Sequence, residues 1–143
     1  MEIKINIKTL DWKPLFYESI WACAFDFKCI EDIEFKVWEF KLIETGVVIE
    51  VPVWYSLQIF PRSSTYKKYW LIQVNWVWII DQDYCWENDT IKFPFLNISN
   101  KIQKIEKWTR IWQWIFVPII KAEFNIVKKM KNNNRGGFWS TWN

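Results

Sequence analysis

Apolar and polar residues alternate along most of the chain with the two-residue period of a β-strand. Residues 2–8 show this pattern most clearly, because Ile3, Ile5 and Ile7 would share one face and the residues between them are polar. Short runs rich in β-branched and aromatic residues occur at 47–51, 55–60, 71–74, 91–93, 95–98, 115–117 and 124–127. Many short strands separated by turns predict an all-β sandwich or barrel rather than alternating strands and helices.

Two segments depart from the strand pattern. Residues 63–69 lack alternation and open with serine, which predicts a short helix. Residues 128–143 are rich in lysine, asparagine and glycine, which predicts a flexible arm. With 143 residues in all, we expect one β domain over residues 1–127 and a C-terminal arm over residues 128–143.

Composition narrows the chemistry that the chain can perform. It has 0 histidines, so histidine-based nucleophilic catalysis and histidine-ligated zinc are excluded. Its net charge of +3 is too small to predict nucleic-acid binding, and no apolar run approaches the roughly 20 residues that span a bilayer. The 3 cysteines are an odd number without a metal-binding spacing, and the start of the chain has no signal-peptide pattern. We therefore expect a cytoplasmic protein that binds neither membranes nor nucleic acid.

Two central segments carry candidate chemistry, and each has a plainer interpretation. Ser63 and Ser64, after Pro61 and Arg62, could form a phosphate cradle at the start of the predicted helix, or one serine could simply cap it. Residues 75–87 predict a hairpin with a carboxylate-rich end. There Asp81, Asp83 or Glu87 could act as a general base toward water, or the three could form a solvated acidic turn.

Two later segments have the same ambiguity. Arg110 and Gln113 precede a predicted strand and could reach an anion, although an arginine at a strand end usually faces water. Near the C-terminus, a Gly-Gly pair beside hydroxyl residues could bind oxyanions, and Phe138 could stack on a base. The plainer interpretation of that segment is a disordered tail.

The order of these segments is more specific than any one of them. Residues 24–27, 61–64, 75–87, 110–113 and 136–141, taken in order and with their spacing, resemble the five motifs of the trimeric dUTPase family. The resemblance implies a distorted β jelly roll, which is a dUTPase-like β-clip barrel, assembled as a homotrimer with shared active sites. It also implies hydrolysis of dUTP to dUMP and pyrophosphate with Mg²⁺ as cofactor.

The resemblance also implies residue roles. Asp81 would be the catalytic base that activates water for attack at the α-phosphate. Tyr84 would pack under the deoxyribose, Asn75 would read the uracil edge, and Asp26 would contact the metal ion through water. Substrate contacts are implied for Arg62, Ser63, Ser64, Asn75, Tyr84, Arg110, Gln113, Arg135, Phe138, Ser140 and Thr141. Arg135 stands three residues before Phe138, whereas the family's arginine usually stands four or five before it.

Two other functions stay open on the sequence alone. The dCTP deaminases share the fold and an Arg-Ser-Ser segment, although the stretch from Asp81 to Tyr84 and the C-terminal motif favour dUTPase. A Trp-rich, non-enzymatic binding module would use exposed indoles to stack on sugars or to insert at membranes. That interpretation requires several tryptophans in one exposed patch.

The tryptophan content is abnormal. The chain has 13 tryptophans and 3 glycines, whereas glycine averages about 7% of residues. Some tryptophans stand where the dUTPase family commonly carries glycine or another small residue: Trp76, Trp78, Trp86, Trp112, Trp139 and Trp142. Some bacterial lineages read the codon UGA as glycine, while other genetic codes read it as tryptophan. We therefore hypothesise that most of the tryptophans are glycines in the source organism.

Overall fold

The computed structural model describes residues 3–11 and 13–132, and within those ranges it contains eleven strands and one helix. The strands are β1 Ile7–Thr9, β2 Phe25–Lys28, β3 Ile33–Phe35, β4 Phe40–Glu44, β5 Val47–Ile49, β6 Tyr55–Pro61, β7 Leu71–Gln73, β8 Trp78–Ile80, β9 Lys92–Asn97, β10 Gln103–Ile105 and β11 Arg110–Pro118. The helix, α1, is Ser63–Tyr69.

Two antiparallel sheets enclose the core. The larger has the strand order β2-β11-β6-β8, and the smaller has the order β4-β9-β7. Their side chains meet where Phe93 of β9 stacks on Trp112 of β11, with ring centroids 4.6 Å apart. Two small pairs, β1-β5 and β10-β3, complete the described sheets. The alternating strands therefore form an all-β, jelly-roll-like fold, as the sequence predicts.

Strand β11 contributes two large side chains to the core. Trp112 and Trp114 are two residues apart, so they share one face of the strand, and both are fully buried. Trp114 stacks on Phe27 of β2 with ring centroids 3.9 Å apart. Neither buried indole nitrogen has a hydrogen-bond partner.

Helix α1 has the bounds that the sequence predicts, and it anchors the end of β6. The chain enters it through Arg62 in an extended conformation and leaves it through Trp70 in the left-handed region, at φ 52° and ψ 32°. The Thr65 hydroxyl donates a 2.6 Å hydrogen bond to the carbonyl of Ile111. Because Thr65 is fully buried, this bond fixes the helix against β11 and places Arg62 beside that strand.

Several expectations about strands are wrong. Within residues 3–8 of the alternating segment, only Ile7 and Lys8 lie in a strand, because the partner β5 is three residues long and pairs with Ile7–Thr9. Residues 124–127 form no strand and are exposed, since no other strand lies beside them. The runs at 91–93 and 95–98 are the single strand β9, which continues through Pro94.

The hairpin expected over residues 75–87 is also wrong. Strand β8, which lies within this segment, pairs with β6, whereas the preceding strand β7 pairs with β9, so the two strands belong to different sheets. Residues after Ile80 form turns instead of a returning strand. The pattern of apolar residues did not reveal these long-range partners.

The end of the chain leaves the sheets before the expected boundary. Strand β11 ends at Pro118, and residues 121–132 are exposed without regular structure. The division at residue 127 stays a prediction, because most of the predicted arm, residues 133–143, lies outside the described part. Over the ranges 3–11 and 13–132, no helix has the length and apolar character needed to cross a membrane.

Candidate active site

A charged cluster lies beside β2, where β6 ends and β11 begins, and we call Asp26, Arg62, Arg110 and Glu18 the arginine–carboxylate cluster. The Asp26 Oδ2 atom is 2.9 Å from Arg62 Nη1 and 3.4 Å from Arg110 Nη1. Arg110 also forms an ion pair with Glu18. Asp26 lies on β2, Arg62 follows β6, and Arg110 begins β11 at a register irregularity. The fold therefore brings together residues from three predicted motifs.

Burial controls the electrostatics of Asp26. Its side chain is 12% exposed, and loss of hydration raises the pKa of this carboxyl above its ordinary value. The guanidinium groups of Arg62 and Arg110 oppose this rise, while Glu18 adds to it. Since the net direction is upward, the arginines offset only part of the cost of burying the charged form. The cluster thus holds a carboxylate at some expense to stability, as functional sites often do.

Gln113 and the two serines border the same cluster. Gln113 is the registered partner of Asp26 across β2 and β11, and its side-chain amide donates to the carbonyl of Pro61 at 3.3 Å. Ser63 and Ser64 are the first residues of α1, directly after Arg62. The N-cap position belongs to Arg62, which makes no side-chain capping bond, so the interpretation of a serine as the helix cap is wrong.

Asp81 lies at the opposite end of β6. In the ladder between β6 and β8, Leu57 pairs with Ile80, so Asp81 follows at the level of Ser56. Gln82 confirms this position, since its side chain donates to the carbonyl of Tyr55 at 3.0 Å. Five or six residues of extended strand separate this level from Arg62, which corresponds to about 16–20 Å. One chain therefore does not bring Asp81 to the arginine–carboxylate cluster.

The surroundings of Asp81 form a concave surface. A pocket of about 320 Å³ is lined by Asp81, Tyr84 and residues of β4, β8 and β9. The Tyr84 amide donates to the Asp81 carbonyl at 3.3 Å, and the Tyr84 hydroxyl donates to the Thr90 carbonyl at 3.1 Å. These two bonds fix Tyr84 within the loop that follows Asp81, while the side chains of Asp81 and Tyr84 stay exposed.

The other two candidate bases, Asp83 and Glu87, do not line the pocket with Asp81. Glu87 is paired with Lys8, whose ammonium also donates to the Glu87 carbonyl at 2.9 Å. Asp83 is exposed. Over residues 3–11 and 13–132, no group of three or more cysteine, aspartate or glutamate side chains could hold a metal ion by itself. Among the three candidate bases, Asp81 is the one that lines the pocket.

Two residues that contribute to the site were missed from the sequence. Gln73 is buried, and its amide donates both to the Ile59 carbonyl at 3.1 Å and to the Asn75 carbonyl at 2.7 Å. It therefore holds Asn75, which is exposed, against β6. The sequence signal that could have identified Gln73 is a polar residue at an inward-facing position of the strand pattern at 71–74. No sequence signal identified Glu18, because its contact with Arg110 is long-range.

Four predicted site residues cannot be placed. Arg135, Phe138, Ser140 and Thr141 lie outside the described residues. Their proposed contacts with substrate stay predictions.

Comparison with known proteins finds one family along nearly the whole chain. The dUTPase family profile matches residues 12–142. The deoxyuridine 5'-triphosphate nucleotidohydrolase of Nautilia profundicola is 37% identical over 143 residues, covering 97% of this chain and 99% of the relative. That coverage includes both ends of β6 and the C-terminal segment.

Solved structures show the same fold. A dUTPase from Streptococcus mutans superposes with a TM-score of 0.76 at 26% identity, covering 83% of this chain and 99% of that one. The Staphylococcus bacteriophage 80alpha dUTPase with dUPNHPP superposes with a TM-score of 0.82, covering 94% and 96% of the two chains. At 18% identity, the second likeness concerns the fold alone. Because the profile spans nearly the whole sequence and the relatives align end to end, the chain belongs to the dUTPase family.

Proposed function

We propose that this chain hydrolyses dUTP to dUMP and pyrophosphate, with Asp81 as the general base and Mg²⁺ on the triphosphate. As a dUTPase family member with full-length nucleotidohydrolase relatives, the chain is a dUTP diphosphatase. The observation that carries the residue assignment is the exposed Asp81 carboxylate, which lines a pocket beside Tyr84. In a chain without histidine, a carboxylate is the natural base for this reaction.

The chemical step is an in-line displacement at the α-phosphorus. A water oxygen bonds to that phosphorus, the bond to the oxygen bridging the α- and β-phosphates breaks, and pyrophosphate leaves. Asp81 accepts the proton from the attacking water. Because the bond rearrangement needs little covalent help from protein, positioning and charge neutralisation supply most of the acceleration.

Substrate selection is assigned to the loop around Asp81. Tyr84, fixed by its bond to Thr90, would present its ring to the deoxyribose and exclude a 2′-hydroxyl. Asn75, held in place by Gln73, would read the uracil edge. Phosphate contacts are assigned to the serines of α1, to Gln113 and to the two arginines of the cluster.

The residues present fit Mg²⁺ bound through substrate better than Mg²⁺ in a protein cage. The described part has no cluster of three ligating side chains, and Mg²⁺ commonly keeps several waters and binds one or two carboxylates plus substrate phosphates. When bound, the ion would neutralise charge on the triphosphate. Asp26 would hold one of its waters, with Arg62 and Arg110 fixing the orientation of that carboxylate.

The separation of the two ends of β6 supports a shared site in a homotrimer. Ser63 and Asp81 are both assigned to the phosphates of one nucleotide, yet the register places them at opposite ends of a seven-residue strand. A second copy of the chain could supply the missing half. Closed, symmetric assemblies provide such composite sites without further components.

The activity test measures pyrophosphate release from dUTP by the purified enzyme. We expect turnover that requires Mg²⁺, with little activity on UTP or dTTP. An assay for ammonia release from dCTP, run in parallel, tests the deaminase alternative. Deamination without pyrophosphate release would contradict the proposal.

Subunit mixing tests the shared site. The variants Asp81→Asn and Arg62→Gln should each be inactive alone. Refolded together in equal amounts, they should recover up to about a quarter of the parental activity, because that fraction of sites combines an intact Asp81 with an intact Arg62. No recovery in trimers shown to be mixed would contradict sharing, as would an active monomer by light scattering.

A further inference from the structure

We propose that glycine, rather than tryptophan, occupies the tryptophan positions of this chain in the cell that makes it, because one codon written here as tryptophan is read there as glycine. The backbone conformation and the indole contacts support this assignment independently of the proposed function. Ten of the 13 tryptophans lie in the described residues, and nine of them fall into three groups. The tenth, Trp78, is half-buried in β8.

The first group occupies turns with a left-handed residue. Trp38, Trp54 and Trp108 have φ values of 57°, 69° and 70°. Each is the third residue of a four-residue turn closed by a backbone hydrogen bond of 3.0–3.1 Å, with the first-residue carbonyl accepting from the fourth-residue amide. The third position of a type II turn has positive φ and is normally glycine. A side chain with a Cβ is strained there.

A fourth tryptophan ends helix α1 in the same conformation. Trp70 has φ 52°, and its amide donates to the Tyr66 carbonyl at 2.8 Å. This left-handed position after a helix is the one at which glycine is most enriched. Over residues 3–11 and 13–132, the residues with positive φ are these four tryptophans and Gly46. Asparagine and aspartate, which tolerate the region best after glycine, are absent from that set although both are common in the chain.

The second group is exposed to solvent. Trp21, Trp76 and Trp86 have 77–92% of their surface exposed. Tryptophan is highly buried on average, because its indole carries a large apolar surface. Glycine at these positions would remove that exposed surface without loss of a core contact.

The third group is buried but not satisfied. Trp112 and Trp114 are enclosed between the sheets, and their Nε1 atoms have no acceptor. In the part of the chain that the structure describes, one other buried side-chain atom lacks a partner, the Oε1 atom of Gln73. Buried indole N–H groups usually find an acceptor. Glycine at positions 112 and 114 would remove both unpaired donors, and Phe27 and Phe93 would then pack onto the backbone of β11.

The direct test is the mass of the protein isolated from its source cells. We expect peptide spectra with glycine at the tryptophan positions, and an intact mass about 1.7 kDa below that of the printed sequence. Tryptophan at these positions in the spectra would overturn the proposal. Neither result depends on enzymatic activity.

A second test measures folding in a heterologous host. Two synthetic genes would encode the printed chain and a form with Trp→Gly at all thirteen positions. We expect the glycine form to be soluble with a cooperative thermal transition, and the printed form to be insoluble or to melt at least 10 °C lower. A printed form with equal or higher Tm would overturn the proposal.

Single substitutions in the glycine form test whether the positive φ, and not only the size of the side chain, requires glycine at the turn positions. Alanine in place of glycine at positions 38, 54, 70 or 108 should lower Tm by several degrees at each site. The matched control is alanine at position 21, which is exposed and outside the positive-φ set, and there Tm should stay the same or rise. Equal responses at position 21 and the four turn positions would contradict the assignment.

Discussion

The two ends of strand β6 differ in whether their acidic side chain is already paired with basic side chains. At the Pro61 end, Asp26 is largely buried, paired with two arginines and flanked by Gln113 and α1. At the Tyr55 end, Asp81 is exposed, and within residues 3–11 and 13–132 it forms no ion pair. The first end is assembled by the fold before substrate arrives. The second leaves its carboxylate open, as expected for a group that must reach a water molecule and a nucleotide.

The largest expected effect is on catalysis, and it comes from Asp81 at the Tyr55 end of β6. Asp81→Asn should lower kcat by about 10²–10⁴-fold, because it removes the base and keeps the shape. Since the side chain is exposed, Tm should change little. Steady-state pyrophosphate release and a thermal melt measure the two quantities. This and the following variants are made in whichever form of the chain, printed or glycine-containing, folds.

Asp83→Asn is the matched control for that variant. Asp83 lies two residues away in the same exposed loop, so its neutralisation makes the same change in net charge. We expect kcat within about twofold of the parent, since the residue does not line the pocket. Equal losses for the two variants would show that the loop, and not Asp81, is responsible.

The next largest effect is on stability, and it comes from the Pro61 end of β6, where Arg62 pairs with Asp26. Arg62→Gln should lower the free energy of unfolding by about 1–3 kcal/mol, because it removes the nearer cation from a buried carboxylate. Urea denaturation without nucleotide measures it. Lys104→Gln, which breaks the exposed pair with Glu34, is the control and should change stability by less than about 1 kcal/mol.

The pH dependence of the Arg62→Gln deficit has a definite sign. The pKa of Asp26 is already raised by burial, and loss of a neighbouring cation raises it further. A group with a raised folded-state pKa contributes stability at low pH that is lost as pH rises through that pKa. The deficit should therefore be larger at pH 7 than at pH 4. A deficit that grows on acidification would contradict this account.

A smaller effect is expected between the two ends, at Gln73. Gln73→Leu removes the donor that holds the Asn75 carbonyl, so the segment assigned to uracil should be less well positioned. We expect KM for dUTP to rise about 3- to 10-fold with kcat nearly unchanged, because the loss affects substrate binding more than the chemical step. A fall in kcat at constant KM would mean that Gln73 acts on the reaction itself.

A last comparison, which perturbs neither end, uses two cysteines as reporters of how accessible each end is. Cys29 follows β2 and its amide bonds to the Thr109 carbonyl, whereas Cys85 lies in the loop after Asp81 and is partly exposed. Burial raises the pKa of the Cys29 thiol to about 12. At pH 8, a thiol reagent should modify Cys85 at least about 100-fold faster than Cys29, as followed by peptide mass spectrometry. Similar rates would mean that the cluster end opens readily.

The sequence predicted which residues meet at the Pro61 end of β6 better than it predicted the strands, and the roles of those residues stay predictions. Asp26, Arg62, Arg110 and Gln113 were found through ordered motifs, and the fold places them together. Helix α1 was found because seven residues without alternation follow a strand. Strands β3 and β10 are three residues each, too short for alternation to stand out. The pairing of β8 with β6, and the contact of Glu18 with Arg110, are long-range choices that a local pattern does not contain.

The four left-handed tryptophan positions have a consequence for protein synthesis. Gly46 has the same type of backbone conformation, with φ 67°, but is written as glycine. If the proposed codon reading holds, the source cell decodes equivalent turns with two kinds of glycine tRNA, and most glycines of this enzyme depend on the unusual one. A host that treats the reassigned codon as a stop signal would release the chain after Asp11, when β1 has been made but no other strand has. Transfer of the gene between organisms with different codes would then yield no enzyme, whatever the promoter or the growth conditions.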